Sequence, residues 1–334
     1  MLSLSDLFET SFKWPITLSG ELMAVILLVS FGILSTLEFI FPQQKLPARS
    51  LRQSYKTNIS LFVFNSTAMS LLSVSSLFLL AQRYSQQGLL RYLDSPLWQA
   101  ILSFVLLDLL LYLWHKACHQ FDRLWMFHRV HHNDPYLNIS TAFRVHFIEL
   151  LVTNTLKAVY IVLLGVDQIM VLANEAIITL FVMFHHTNIA FKGEKWLGYF
   201  IIVPYLHRTH HSTQRNEHDS NYGAVLSLWD RLFRTLTEFE PAAIGINGHS
   251  PQDFTNLLRF GFTLPSLPPT QPLNVDLDVM IAEAAYYKAE KRNFYPGYEL
   301  LDWLEAKKDI IKLVYGDKTM PKNKHTMLNF KLGT

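Results

Sequence analysis

Residues 207–211 read HRTHH, and HRVHH has already occurred at residues 128–132. Each stretch spaces three histidines by three and four residues, a spacing that brings side chains to one face of a helix. One such helical turn can offer two or three imidazole nitrogens, which are good ligands for zinc, copper, iron and nickel. The repeat therefore predicts two helix turns that meet at a shared metal site.

The other histidines are clustered as well. HKACH at residues 115–119 spaces two histidines by four, and HHTN at residues 185–188 starts with an adjacent pair. None of the 14 histidines precedes residue 115, and eleven lie between 115 and 211. So many imidazoles without a metal would need other partners, or would repel one another when protonated. Because a structural zinc site uses about four ligands, eight or more ligands predict two metal ions.

The types of ligand narrow the chemistry. The single cysteine, Cys118, excludes an intrachain disulfide and a zinc site built from cysteines. The chain has no Glu-x-x-His arrangement of the ferritin-like di-iron bundles. A pair of redox metals beside a bilayer indicates O2 chemistry on a lipid. Spacing alone leaves hydrolysis open, since a zinc that activates water needs only three protein ligands and an open position.

Composition favours a membrane protein. Half of the 334 residues are hydrophobic and 17% are charged, against roughly 25% charged residues in soluble domains. The net charge of +2, with no long basic block, gives no indication of a nucleic-acid partner. Several long uncharged runs disfavour the alternative, a large soluble protein with buried helices. About five spans of about 20 residues are predicted, at Leu22–Phe41, Ile59–Ala81, Trp98–Trp114 and twice within Phe147–Phe184, with a break at 165–168.

Charge predicts the orientation. The loop at residues 42–56 holds four basic residues and no acid, which places it in the cytoplasm by the positive-inside rule. Counting crossings from this loop, the third span ends on the cytoplasmic side near Trp114 and the fifth near His185. Every histidine cluster is thus predicted to face the cytoplasm. Residues 1–21 lack the pattern of a signal peptide, so the first span is expected to be retained.

The predicted fold class is all-α. We expect a polytopic membrane protein with about five spanning or hairpin helices and a cytoplasmic helical cap that carries a histidine-ligated di-metal site. Apolar and aromatic residues recur at helical spacing on both sides of FYPG at 294–297, which predicts a small soluble helical hairpin. The predicted segments are membrane spans at 1–97, a catalytic region at 98–240, a Pro-rich linker at 241–275, and the hairpin with a basic tail at 276–334.

Three stretches carry a family resemblance: DLLLYLWHKACHQFDRLWMFHRVHHNDPYLNISTAFRVHFIE, HHTNIAF and VPYLHRTHHSTQRNEHDSNYGAVLSLWDRLF. Over about residues 100–235 the chain resembles the fatty acid hydroxylase superfamily, which includes the sterol desaturases. Members are integral membrane, non-haem di-iron oxidoreductases that use O2 and external electrons to hydroxylate or desaturate lipids. The resemblance implies two iron ions, with zinc as an alternative occupant in a purified preparation. It implies these metal ligands: His115, His119, His128, His131, His132, His186, His207, His210 and His211.

Three further residues are interpreted through the same resemblance. His146, in RVHFIE, fits the Arg-x-His-Pro-x-Glu of many bacterial members, with Phe147 in place of proline, and is a candidate ligand or a support for one. Asn188 matches the Asn of a His-x-Asn element and is expected to orient a ligand. His185 stands where relatives often have Gln, so it is not expected to bind metal. In LWDRLF at 228–233, a family signature and simple packing of the cap are both open.

The region at 276–309 resembles a short bacterial domain of unknown function, which favours a bacterial source and the inner membrane. The chain lacks a Gly-x-Gly-x-x-Gly dinucleotide signature and a haem-binding His-Pro-Gly-Gly element. Electrons are therefore expected from a separate ferredoxin, cytochrome or reductase. The predicted substrate is a membrane lipid, whether a sterol, a fatty acyl chain, a carotenoid or an ether lipid.

Two other classes of function stay open. A membrane metal-binding or transport protein is disfavoured because the ligands cluster at one surface instead of the bilayer midplane. Glu149, Lys157 and Glu175 are ionisable residues within the last two predicted spans, and they are expected to pair with one another or to mark span ends. A zinc-dependent membrane hydrolase is the other alternative, and dependence on O2 would separate it from an oxygenase.

Overall fold

A computed structural model describes residues 20–71, 77–248, 250–263 and 277–315. The stretch before Gly20, most of the Pro-rich part of the predicted linker, the basic tail, His249 and His325 lie outside the described residues. The chain divides into two compact units, Met1–Pro265 and Ser266–Thr334. The described residues contain helices and isolated β-bridges but no β-strand, so the predicted all-α class is confirmed.

The first unit holds twelve described α-helices and two short 3-10 helices, Leu89–Tyr92 and Ile139–Phe143. In chain order the α-helices are α1 Gly20–Ile40, α2 Ala48–Leu71, α3 Leu77–Tyr84, α4 Pro96–Gln120, α5 Asp122–His132, α6 Phe147–Leu164, α7 Gln168–His185, α8 Glu194–Leu197, α9 Pro204–His210, α10 Arg215–His218, α11 Leu228–Leu232 and α12 Phe254–Phe260.

Four of the described helices, α1, α4, α6 and α7, are long and apolar enough to cross a membrane. The predicted span Ile59–Ala81 is not among them. It falls on α2 and α3, with residues 72–76 between these helices outside the described part of the chain. The buried face of α2 is largely polar and includes Ser54, Asn58 and Asn65. The described residues thus give four candidate spans where the sequence predicted about five.

The hairpin of α6 and α7 turns where the sequence predicted. Gly165 ends α6 with φ 71°, a left-handed conformation that glycine adopts without steric cost. Asp167 begins α7, where its carboxylate accepts a hydrogen bond from Met170 N at 2.8 Å. The turn packs tightly on the loop after α3, because a Cβ on Gly88 would lie 1.9 Å from Gly165 N. This contact fixes the end of the hairpin that lies opposite His146 and His186.

Part of the predicted linker belongs to the first unit. Helix α12 lies within residues 241–275, and Leu257 on it is fully buried against Leu61 and Val130. Arg129 also donates hydrogen bonds to Phe260 O at 2.8 Å and to Thr263. The segment borders at 97, 240 and 275 stay predictions.

The second unit is described over two helices, α13 Leu277–Lys291 and α14 Glu299–Tyr315. The turn between them contains FYPG, and Phe294 and Gly297 adopt positive φ angles of 55° and 94°. Lys288 on α13 pairs with Asp309 on α14 at 3.0 Å. The helical hairpin predicted around FYPG is therefore present.

Candidate metal centre

The last turns of α4 and α5 bring four histidines together. Phe121, with an extended backbone at φ −107° and ψ 117°, separates the two helices, so α5 begins two residues after α4 ends. His115 Nε2 lies 3.0 Å from His128 Nε2, and His119 Nε2 lies 3.1 Å from His132 Nε2. Both pairs are 13 residues apart along the chain. The short connection thus places each histidine of α4 opposite a histidine of α5.

The end of α7 and the start of α9 bring the other histidines to the same place. Pro204 begins α9 in the first helical turn, where its missing N–H costs no hydrogen bond. His186, which follows α7, points its Nε2 at His207 Nε2, 2.9 Å away. The same His186 nitrogen lies 3.1 Å from His131 Nε2. One imidazole therefore links the end of α7 to both repeated histidine motifs.

All nine predicted ligands fall into two groups, and within each group the candidate ligand atoms lie within 4.8 Å of one another. The first group is His115, His119, His128, His132 and His210, and the second is His131, His186, His207 and His211. The motif at 128–132 contributes two histidines to the first group and one to the second. The motif at 207–211 contributes one histidine to the first group and two to the second. Each motif thus contributes ligands to both groups, which explains why the same histidine spacing occurs twice in the sequence.

The ring nitrogens show which atoms are free to bind a metal. Five of the nine imidazoles direct Nδ1 at an oxygen that can only accept, so Nδ1 carries the proton and Nε2 keeps its lone pair. These contacts are His115 to Tyr222 O at 2.8 Å, His119 to Asp219 Oδ1 at 3.1 Å, His128 to Glu149 Oε1 at 2.7 Å, His186 to Val182 O at 2.6 Å and His210 to Ser220 O at 2.6 Å.

Electrostatics indicate that the other four imidazoles are also able to bind a metal. Burial, followed by the charges of neighbouring imidazoles, lowers the pKa well below its ordinary value for His131, His132, His207 and His211. These rings are therefore neutral near pH 7. His115 and His128 both carry the proton on Nδ1, so their Nε2 atoms, 3.0 Å apart, place lone pair against lone pair unless a cation lies between them. The donor set thus fits two metal ions, one for each group.

Two carboxylates support histidines from outside the groups. Glu149, in the first turn of α6, accepts from His128, and Asp219 accepts from His119. A carboxylate behind a metal-binding imidazole fixes its tautomer and makes it a stronger donor to the metal. The second oxygen of Glu149 is buried without a hydrogen-bond partner. Glu149 therefore pairs with a histidine at the start of a candidate span, as one of the two expectations for it, that it marks a span end, allows.

Two other carboxylates fix the carbonyl that His115 uses. Asp230 accepts from Tyr222 N and Gly223 N, both at 2.8 Å. Asp108 accepts from Val225 N at 2.9 Å and from the Trp229 indole at 2.9 Å. Since the carbonyl of Tyr222 accepts from His115, these carboxylates hold the metal centre in place through the backbone. Within LWDRLF, Asp230 is thus a structural residue that positions the backbone of Tyr222, and through it the imidazole of His115.

The three remaining candidates lie outside both groups. His185 is buried, and its ring centroid lies 4.1 Å from that of His207. His146 begins α6, where Nδ1 accepts from Ile148 N at 3.2 Å and Nε2 contacts Leu258 O at 3.1 Å, so both nitrogens serve the backbone. Asn188 bonds to the backbone of Gln44 at 2.7 and 3.1 Å instead of to a histidine.

His218 is a residue that sequence reasoning missed. Its ring stacks on Trp125 with centroids 5.1 Å apart, and with His119 and Asp219 it forms a further candidate metal-binding group. Its Nδ1 lies 3.0 Å from Ser212 O. The signal was its position within EHDSNY, next to the Asp that supports His119. It carries no helical repeat with the other histidines, because a turn separates it from His211.

A cavity of about 510 Å3 opens from the histidines into the helices. Its walls include His115, His131 and His207 at one end and residues of α2, α6 and α7. At its other end Lys157 and Glu175 pair at 2.8 Å, which confirms the predicted pairing for these two residues of the spans. The size is that of a site for a small molecule or for part of a lipid.

Comparison with known proteins confirms both resemblances. Residues 100–235 match the fatty acid hydroxylase family, and residues 276–310 match a family of unknown function, DUF2934. The chain is 31% identical to the ornithine lipid hydroxylase of Rhizobium tropici over 168 residues, which is 49% of this chain and 50% of that protein. It is 31% identical to the alkylglycerol monooxygenase of Caenorhabditis elegans over 146 residues, 43% of this chain and 28% of that protein. It is 27% identical to the alkylglycerol monooxygenase of Homo sapiens over 154 residues, 46% and 34% of the two chains.

The chain thus spans half or less of the length of these relatives. No solved structure gives a significant match.

Proposed function

Because residues 100–235 belong to the fatty acid hydroxylase superfamily, we propose that this chain is an O2-dependent oxidoreductase of a membrane lipid with two iron ions as its cofactor. The observation that carries the proposal is the division of nine imidazoles, eight of them buried and that of His115 half-buried, into two groups at the end of a cavity. The relatives are a lipid hydroxylase and monooxygenases, which favours hydroxylation over desaturation. The proposed ligands are the nine histidines of the two groups.

The overall reaction needs a separate electron donor. Hydroxylation converts a C–H bond, O2, two electrons and two protons into a C–OH group and one water molecule. Desaturation uses the same O2, electrons and protons but removes two hydrogens from the lipid, giving an alkene and two water molecules. When bound, a pair of iron ions supplies the redox chemistry that activates O2. A ferredoxin, cytochrome or reductase is the proposed source of electrons.

The residues of the chain hold and shelter this chemistry. The histidines fix the centre, while Glu149 and Asp219 keep Nδ1 protons on His128 and His119. The cavity walls exclude water and hold a length of lipid against the histidines, which lowers the entropic cost of reaction. We place the centre on the cytoplasmic side of a bacterial inner membrane, on the basis of the basic loop at 42–56.

The geometry gives less support to transport. An ion crossing the bilayer would need ligands along its path, near the midplane. In the described residues, the metal-binding groups lie at the ends of α4 and α7, and the cavity beyond them offers one ion pair, Lys157 and Glu175. A hydrolase with a single zinc would leave one of the two groups without a purpose.

Metal analysis and lipid mass spectrometry together test the proposal. Protein purified from iron-sufficient cells should carry about two iron ions per chain, as expected for two groups of four or five ligands. Cells with the protein should contain a lipid class that has gained one oxygen atom, or lost two hydrogens. His207→Gln should abolish the product, whereas Glu290→Gln, at an exposed position in the second unit, should not. A single zinc with full activity in the absence of O2 would contradict the proposal and favour a hydrolase.

A further inference from the structure

The cavity has a polar end far from the histidines. Lys157 Nζ and Glu175 Oε2 lie 2.8 Å apart, both residues line the cavity, and Lys157 is buried. They belong to α6 and α7, helices with the length and composition of membrane spans. Burying the charge of Lys157 costs desolvation energy that its pairing with the partly exposed Glu175 only partly offsets, and ionisable residues within membrane spans commonly mark a substrate path. An apolar pair would be cheaper if the site served packing alone.

The helices give the distance from this end to the metal centre. On α6, Lys157 lies eight residues after Glu149, the partner of His128, and this corresponds to about 12 Å along the axis. On α7, Glu175 lies ten residues before His185, or about 15 Å. A ligand that touches both ends of the cavity must therefore place its reacting carbon about 12–15 Å from the group held by the ion pair.

Further polar groups line the same cavity without full hydrogen bonding. Asn65 is buried and donates to Val145 O at 2.8 Å, but its Oδ1 has no partner. Lys157 has three N–H donors, and Glu175 takes one of them. Asn154 also lines the cavity, one helical turn from Lys157. Unpaired buried groups cost stability, and a ligand that bonds to them recovers that cost.

The polar end lies beside a mouth of the cavity. A neighbouring cavity shares Asn154 and Glu175 with the first and continues to Leu77 and Leu172 on α3 and α7. The side chain of Glu175 is 37% exposed there. The two cavities therefore meet at Asn154 and Glu175, on helices with the length and composition of membrane spans.

We propose that Asn154, Lys157 and Glu175 bind an oxygen-bearing group of the lipid substrate and thereby determine which carbon reaches the metal centre. The substrate class is a lipid with a hydroxyl, ester or amide group about 12–15 Å from the reacting carbon, as the helix geometry requires. A lipid with only hydrocarbon over that length would offer nothing to the remaining N–H donors of Lys157 or to the unpaired Oδ1 of Asn65. This inference rests on the proposed function for its reacting carbon, but the binding part can be tested without turnover.

The binding test compares two probes in detergent-solubilised, iron-loaded protein. A fluorescent fatty alcohol is first bound to the wild type or to the double variant Lys157→Met/Glu175→Gln. Hexadecan-1-ol and hexadecane are then each titrated in, and the affinity of each is measured from the displacement of the fluorescent alcohol. The double variant removes both charges together, so that neither is left buried alone. Hydrogen bonds to a charged group predict that the wild type prefers the alcohol at least about tenfold, and that the double variant loses this preference.

Two controls separate the possible failures. Thr155→Val, an exposed position on α6, should keep the preference for the alcohol. Iron content of the double variant should equal that of the wild type, because no histidine partner is changed. Equal affinity of the wild type for both probes, or an unchanged preference in the double variant, would overturn the inference. A wild type that prefers the alcohol but oxidises no lipid would instead overturn the proposed function.

The product gives an independent readout once the substrate is known. If the ion pair determines which carbon of the lipid reaches the metal centre, the double variant should oxidise several neighbouring carbons where the wild type oxidises one. The KM should rise about tenfold, as expected from the loss of a charged hydrogen bond, with iron content unchanged. A single product at the original carbon with an unchanged KM would contradict the assignment.

Discussion

At the scale of single residues, the two nitrogens of each imidazole have different tasks. His128 directs Nδ1 at Glu149 and Nε2 at His115, so one ring connects the carboxylate of α6 to the metal centre. His186 does the same between Val182 O and the pair formed by His131 and His207. The ligand role therefore depends on acceptors that are distant in sequence as much as on the histidines themselves.

A first prediction concerns Glu149. In Glu149→Gln the amide oxygen can still accept from His128 Nδ1, but the negative charge that strengthens the imidazole as a donor is lost. We expect metal affinity to fall by about 10–100-fold, the usual effect of changing a group that supports a metal ligand. Competition with a chelator measures this. Glu290→Gln, exposed in the second unit, is the matched control, and equal affinity of both variants would contradict the role assigned to Glu149.

A second prediction separates His185 from His186. His185 lies outside both groups, whereas His186 Nε2 faces two other ligands at 2.9 and 3.1 Å. Gln retains a polar side chain but lacks the imidazole nitrogen. His185→Gln should therefore keep its metal and most activity, while His186→Gln should lose at least one metal ion and nearly all turnover. If instead His185→Gln lost metal and His186→Gln kept it, the assignment at the end of α7 would be shifted by one residue.

The histidines could be found from sequence because their spacing within each helix turn is local. Their supports could not, since His119 and Asp219 are 100 residues apart and His115 and Tyr222 are 107 apart. The signal for His218, its place next to Asp219, depends on the same distant contact between Asp219 and His119. His146 illustrates the opposite error: it fits a histidine pattern, yet both of its nitrogens serve the backbone.

At the scale of elements, α2 carries a buried polar face, although hydropathy predicts its second half to be part of a span. Its buried side chains form a polar network in which Ser54 and Asn58 donate to Asp134 Oδ2 at 2.6 and 3.0 Å. Burial alone would raise the pKa of Asp134, but the Arg144 guanidinium and these donors lower it overall. A hydropathy window counts such residues only as polar, and no local pattern reveals that partners 80 residues away satisfy them.

A third prediction belongs to the turn between α6 and α7. A Cβ at Gly88 would lie 1.9 Å from Gly165 N and 2.0 Å from Leu164 C, so the backbone of one segment must move. We expect Gly88→Ala to destabilise the protein by at least about 3 kcal/mol, the upper range of overpacking, and so to lower Tm in detergent. Gly32→Ala is the control, because nothing lies within 4 Å of its added methyl group and alanine favours the helix. A Tm for Gly88→Ala equal to that of the control would contradict the packing of this turn.

At the scale of the whole molecule, the four candidate spans share one end. Helices α4 and α7 end at the histidines, and α6 begins there with Glu149. Near the end of α1, Glu38 accepts from Ile139 N at 2.8 Å and Asn188 N at 3.0 Å, two residues after His186. Apolar runs predicted the helices, and the histidines indicated where they meet, but the contacts that tie α1 to this end depend on a buried glutamate that no pattern singles out.

The last prediction tests this arrangement as topology. Single cysteines are placed at Ala48, Gln86 and Asn216, all exposed, in a Cys118→Ser background. Ala48 lies within the basic stretch at 42–56, at the start of α2, and Asn216 lies near the histidines, so both should react with a membrane-impermeant thiol reagent only from the cytoplasmic side. Gln86 precedes Gly88, which contacts the far end of the α6–α7 hairpin, and should react only from the opposite side. Reaction of Gln86 and Asn216 from the same side would mean that α6 and α7 enter and leave the membrane without crossing it. Reaction of Ala48 and Asn216 from opposite sides would contradict the shared end of the four helices, and with it the single metal centre.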